Sequence, residues 1–185
     1  MPRGIPAEAA RAKGYSKGAN TGFNRGRKPS PEDPGDLRAI RRAAAAALAR
    51  RDLPAAELAV RLSASGFANP QVEDVVAEFV AKRFIDDARF ADRFVAHHVE
   101  RGHGPLRIRR DLIALGVAAP LVDQSLHCGP DFLALCRELR RRRFGPVLPQ
   151  TAAEKGRESR FLQYRGFSSE DIRSALGFDT DLLEE

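Results

Sequence analysis

Cysteine is scarce in this chain. Cys128 and Cys136 are its only two thiols in 185 residues, too few for a disulfide framework and lacking the spacing and partners of a zinc site. Both are expected to be small core residues. The four histidines, His97, His98, His103 and His127, find no carboxylate-and-cysteine pattern to complete a metal site, and are expected at exposed helix ends. No apolar run approaches the roughly 20 residues of a membrane span, and residues 1–30 carry neither a hydrophobic signal region nor a stop-transfer pattern. A soluble, cytoplasmic protein without membrane contact is the expectation. Period-two alternation is missing throughout, which excludes a β-rich fold. No nucleophile, base and orienter come together and no phosphate-cradling glycine loop occurs, so no catalytic residue, metal or cofactor is expected.

Acids are outnumbered. Lys and Arg total 31 against 25 Asp and Glu, a net charge of +6, which favours a polyanionic or acidic partner. Most of the cations are arginines, the better fork for phosphate and carboxylate. At 43% hydrophobic residues the chain can still bury a core.

Residues 1–35 are dense in Gly, Pro, Ser and Asn and carry seven basic residues against three acids. Such a segment cannot bury enough apolar surface to offset its ordering entropy, and reads as a disordered basic arm. It is expected to be an electrostatic tether to nucleic acid, a solubility tail or the product of a mis-set start codon. From Asp36, a candidate N-cap, Leu37, Ile40, Ala44 and Leu48 recur at helical spacing until about Arg51. Pro54 then suits the first turn of a second helix that buries Leu58 and Leu62 and ends at Gly66. A third helix follows from Pro70, with Val72, Val75, Val76, Phe79 and Val80.

The chain repeats itself. At a spacing of fifty residues Leu62, Leu112 and Leu162 align, as do Gly66, Gly116 and Gly166; Phe67, Val117 and Phe167; Val72, Val122 and Ile172; and Val76, Leu126 and Leu176. A period of this length marks tandem helical units. In each unit the leucine lies one turn before a glycine that can take the left-handed conformation, and the next apolar residue staples the turn before a second helix begins. With a preceding long helix, each copy becomes a three-helix module: residues 36–84, 85–129 and 130–178, followed by an acidic tail at 179–185. The expected fold is all-α.

In the middle unit Asp86 is a natural N-cap, Asp87 suits the first turn of a helix dipole, and Phe90, Phe94 and Val95 form its buried stripe. That helix start accounts for both aspartates without a catalytic role. In the third unit Phe132, Leu133, Leu135, Cys136, Leu139 and Phe144 surround Arg137 and the run Arg140, Arg141, Arg142 and Arg143. A loop over residues 145–150 leads to a helix from about Ala152 to Tyr164.

Helix-turn-helix DNA readers contain the same turn, so a stand-alone DNA-binding protein is the alternative reading. Against it, the helices after the turns begin with Glu73 and Asp74, Asp123, and Glu170 and Asp171, which a duplex backbone repels. Cations recur instead on the helix before the glycine. Arg107 and Arg157 are fifty apart, as are Arg110 and Arg160, and the pair within each helix shares one side. Arg109, Lys155, Arg165 and Arg140 through Arg143 extend this ridge, whereas the first unit has Glu57 and Val60 at the matching positions. A solvated charged face is the plainer reading of the same residues.

Three stretches together, Phe84-Ile85-Asp86-Asp87-Ala88-Arg89-Phe90-Ala91, Gly104 to Arg110 with Leu112 and Gly116, and Phe161 to Phe167 with Ile172 and Leu176, resemble the RecX family of bacterial regulators of the RecA recombinase. The resemblance spans about Leu37 to Phe178. It implies three tandem three-helix (helix-turn-helix-like) repeats forming an elongated curved body, lodged in the groove of a RecA–DNA filament. It also implies no catalysis: the family restrains strand exchange, ATP hydrolysis and co-protease function by occupying the filament. The implied partners are the RecA filament and, weakly or by way of the filament, single- or double-stranded DNA, which the basic ridge suits; a monomer is the expected state. The basic N-terminal arm departs from the family pattern.

Overall fold

The computed structural model describes residues 31–177. The N-terminal arm up to residue 30, residue 178 and the acidic tail at 179–185 lie outside the described residues. Within them are nine α-helices and no strand: α1 (Leu37–Leu48), α2 (Ala55–Ala64), α3 (Asn69–Ala81), α4 (Asp87–Glu100), α5 (Pro105–Ala114), α6 (Ala119–His127), α7 (Phe132–Phe144), α8 (Ala152–Arg165) and α9 (Ser169–Ala175).

The helices pack in successive threes, α1 to α3, α4 to α6 and α7 to α9. Each three encloses its own apolar cluster. Ile40, Leu58, Leu62, Val72 and Val75 centre the first; Val95, Ile108, Leu112 and Val122 the second; Cys136, Leu162, Phe167 and Ile172 the third. The all-α tandem repeat expected from the fifty-residue period is the fold.

An aspartate starts each three. Arg38 N–H donates to Asp36 Oδ1 at 2.8 Å, Arg89 N–H to Asp86 Oδ1 at 3.0 Å and Ala134 N–H to Asp131 Oδ1 at 2.9 Å, each satisfying an otherwise orphaned donor of the first turn. The second helix of each three ends alike. Gly66, Gly116 and Gly166 have φ of +96°, +84° and +88°. The N–H groups of Phe67, Val117 and Phe167 reach back to the carbonyls of Leu62, Leu112 and Leu162 at 3.5, 3.2 and 3.2 Å. This is the bond that closes a Schellman turn, with the apolar residue folded back onto the buried leucine.

Several local expectations shift. Pro54 is the N-cap of α2, one residue before its first turn. Val80 is 46% exposed and faces away from the core that Val72, Val75, Val76 and Phe79 build. Ile85 is buried in the first cluster, and Leu37 is 38% exposed. In α4 the fully covered positions are Ala91 and Val95, with Phe90 and Phe94 only partly buried beside them. Cys136 is a core residue but Cys128 is exposed, because it lies just past the last turn of α6.

Adjacent units meet end to end. Between the second and third, Gly104 N–H donates to Arg165 O at 2.8 Å and Leu106 N–H to Gly166 O at 3.0 Å. The first donors of α5 therefore cap the last carbonyls of α8, and the two helix dipoles run head to tail. A Cβ on Gly104 would stand 2.4 Å from the backbone of Gly166, and one on Gly166 2.4 Å from Arg107 Cβ. Between the first and second units, Gly116 approaches Ala56 in the same way, with a Cβ there 2.4 Å from Ala56 Cβ. At that seam Ala55 N–H donates to Asp87 Oδ1 at 2.9 Å, so Asp87 also caps a helix of the preceding unit. Arg93 pairs with Asp52 at 2.5 Å across the same seam.

Candidate functional site

The second helix of each unit carries the candidate cations, and the seam decides how they are displayed. Arg107 and Arg110 sit in the first two turns of α5, beside the C-terminal turn of α8. Arg110 is the outward one, with 72% of its side chain exposed against 32% for Arg107. Asp111 joins them: its Oδ1 accepts from Arg110 Nε at 3.0 Å and Nη2 at 2.8 Å, while its Oδ2 lies 3.7 Å from Arg107 Nε. Arg107 Nε is buried and has no hydrogen-bond acceptor within reach. Arg157 and Arg160 are exposed on α8, Arg157 with its guanidinium 5.4 Å from the centre of the Phe144 ring.

A groove of about 570 Å³ opens where the two helices meet, lined by Leu106, Arg107, Arg110, Gln163, Tyr164 and Gly166. Tyr164 is 83% exposed and Leu106 56%, so an aromatic face and an aliphatic side chain stand in solvent beside two guanidiniums. The structure thus joins Arg107 and Arg110 to the end of α8. Sequence spacing paired the arginines but not Tyr164 or Gln163, which belong to the neighbouring unit.

Other cations expected on the ridge serve elsewhere. Arg140 is buried and is not a surface residue. Its Nε donates to Glu158 Oε2 at 2.9 Å, its Nη1 to Gly145 O at 3.2 Å and its Nη2 to Val147 O, pinning the loop after α7. The physical reason is visible in the repeat, because Glu158 occupies the position that Leu58 and Ile108 fill in the other cores. A carboxylate there needs a buried partner, and Arg140 supplies it. Arg141 and Arg142 share Glu138, at 2.7 and 2.6 Å, and hold its carboxyl below the usual carboxylate range. The four-arginine run therefore displays less charge than its sequence suggests, with Arg143 exposed at its end.

Arg109 points away from Arg107 and Arg110 to the sixth helix. Its Nε donates to Asp123 Oδ1 at 2.7 Å, which holds the Asp123 carboxyl down and the guanidinium pKa up. Asp123, one of the acids that disfavour duplex reading, is thereby neutralised. Arg165 is half-buried and donates from Nη1 to Arg101 O at 3.0 Å, bracing the seam. Lys155 is half-buried at the start of α8.

Beneath the seam lie two histidines that are not exposed helix-end residues. His98 and His103 are partly buried with their Nδ1 atoms 2.9 Å apart, and His98 stacks on Phe94 at 4.0 Å between ring centres. Burial lowers both imidazole pKa values, that of His103 to about 4 with further help from Arg107. Both rings are neutral at pH 7, one donating and the other accepting. Among the described residues, no group of three or more His, Cys, Asp or Glu side chains is arranged to hold a metal ion. No described helix is long and apolar enough to cross a membrane.

Comparison with known proteins places this geometry. Residues 86–126 match the model of the second three-helix domain of RecX, and residues 130–176 that of the third. The chain is 40% identical over 138 residues to the regulatory protein RecX of Halorhodospira halophila, covering 74% of this chain and 86% of that protein. It is 35% identical over 139 residues to the regulatory protein RecX of Ectopseudomonas mendocina, covering 75% and 93%. The crystal structure of RecX from Lactobacillus salivarius superposes with a TM-score of 0.69 at 16% identity, over 77% of this chain and 96% of that one. That likeness concerns the fold.

Proposed function

This chain belongs to the RecX family of regulatory proteins, and from that premise we propose that it binds RecA–DNA filaments and restrains the recombinase. The observation that carries the reading is the match to curated RecX proteins over most of their length. In this reading the protein acts in the bacterial cytoplasm, in DNA repair and the SOS response, as a monomer. It lowers strand exchange, ATP hydrolysis and co-protease activity by occupying the filament, and catalyses nothing itself. The exposed Arg110, Arg157 and Arg160, with Arg143 beyond them, suit a long partner that offers acids or phosphates at intervals. The first unit has Glu57 and Val60 at the equivalent positions and does not continue this ridge.

Co-sedimentation with RecA filaments assembled on single-stranded DNA tests this directly. The protein is expected in the pellet with the filament, and to remain there when excess bare DNA is added as competitor. Complete release by the competitor would instead support a stand-alone DNA-binding protein.

A further inference from the structure

The groove at the seam of the second and third units is built unlike its counterpart. At the positions of Leu106, Arg107, Arg110, Gln163 and Tyr164, the first seam has Ala56, Glu57, Val60, Ile113 and Ala114. At these positions cations, an amide and an aromatic ring occur at the second seam and not at the first. Among the described residues Tyr164 is the most exposed of the large apolar or aromatic side chains, at 83%. So little of it is covered that the ring adds little to the core. Arg107 lines the same groove with 32% of its side chain exposed, while its Nε is turned inward, 3.7 Å from Asp111 Oδ2.

We propose that this groove holds one nucleotide of single-stranded DNA, its base stacked on Tyr164 and its phosphate met by Arg107 and Arg110. The proposal rests on the reading that the chain works on recombinase–DNA filaments, and adds to it a direct contact with the strand. Its shape agrees: about 570 Å³ is the size of a small-ligand cleft, not of a duplex groove. A flat aromatic face beside guanidiniums is how proteins hold single strands, whose bases are free to stack, whereas duplex bases already stack on one another. Gln163 offers a donor and an acceptor to a base edge without fixing which base. Asp111 neutralises part of the charge of the two arginines, so stacking supplies more of the affinity than phosphate attraction. Arg160 and Arg157 lie one and two turns before Tyr164 on α8, where they can track the backbone of the adjoining nucleotides.

The test is fluorescence anisotropy of a labelled oligothymidylate about 20 nucleotides long with the full-length protein and its Tyr164→Ala, Tyr164→Phe and Arg110→Ala variants. Tyr164→Ala is expected to weaken binding roughly 5- to 150-fold, the range for loss of one base–aromatic stack. The salt dependence should stay unchanged, and Tyr164→Phe should restore the affinity. Arg110→Ala is expected to make the salt dependence shallower, by about 0.7 in the log–log slope. Unchanged affinity of a helical Tyr164→Ala variant, or no binding of the strand by the unmodified protein, would overturn the proposal. Co-sedimentation of the same variants with RecA filaments separates the two readings. Loss of filament binding with intact strand binding in Tyr164→Ala would assign the groove to a protein segment and overturn the nucleotide site alone. Tyr164-dependent strand binding by a protein that ignores the filament would overturn the regulatory reading alone.

Discussion

His103 and Glu158 are two residues whose surroundings, rather than their types, decide what they do. His103 lies under the seam, where burial, Arg107, His98 and Arg165 disfavour its cation more than Asp111 favours it. Its folded pKa of about 4 is below the unfolded value near 6.5. Between those values the unfolded chain binds a proton that the folded chain refuses, so stability falls as pH drops through that window and is fully present above it. Urea melts between about pH 7.5 and 5.5, above the range where most carboxylates titrate, should show a falling midpoint, and His103→Gln should flatten the fall. A midpoint independent of pH in the parent protein would contradict the burial of this pair. Neither histidine is legible as partly buried from the sequence, because the contacts that cover them, His98 on Phe94 and His98 with His103, form only when the end of the fourth helix folds against the turn after it. Glu158 was legible in principle: the fifty-residue comparison aligns it with Leu58 and Ile108 and marks a carboxylate in a core position. Arg140 reads from the sequence as part of the basic ridge because the four adjacent arginines hide that it shares the face of Cys136 and Leu133, four and seven residues before it.

Among the elements, the helix–turn–helix was readable because its determinants are local. A leucine, a glycine four residues on and an apolar residue after it specify a turn that recurs with φ between +84° and +96° in all three units. The seams were not readable, since the donors of α5 and the carbonyls of α8 that they cap are about sixty residues apart in the chain. The α7–α8 pair depends on a further long-range contact, the Arg140–Glu158 ion pair, whose side chains are only 4% and 5% exposed. Arg140→Met removes the partner of a buried carboxylate and frees two carbonyls, and is expected to cost about 3–5 kcal/mol of stability in urea denaturation. Adding Glu158→Leu, the residue type of the first unit, should recover at least half of that loss, because the uncompensated charge is then gone. A single variant as stable as the parent would contradict the buried pair.

At the scale of the whole molecule, similar three-helix units differ mainly in what their second helices display. The repeat and all-α fold could be read from spacing alone. The display could not, since pairing with Asp111, Asp123, Glu138 and Glu158 decides which cations remain available. Pairing and exposure together narrow the proposed contact surface to Arg157, Arg160 and Arg110, the last paired with Asp111 but still 72% exposed, and leave Arg107 partly committed to the seam. The most direct measurement is therefore inhibition of the DNA-dependent ATPase of RecA by a variant carrying Arg110→Glu, Arg157→Glu and Arg160→Glu. The account predicts parental helicity and melting with inhibition abolished. Undiminished inhibition by the folded triple variant would contradict it.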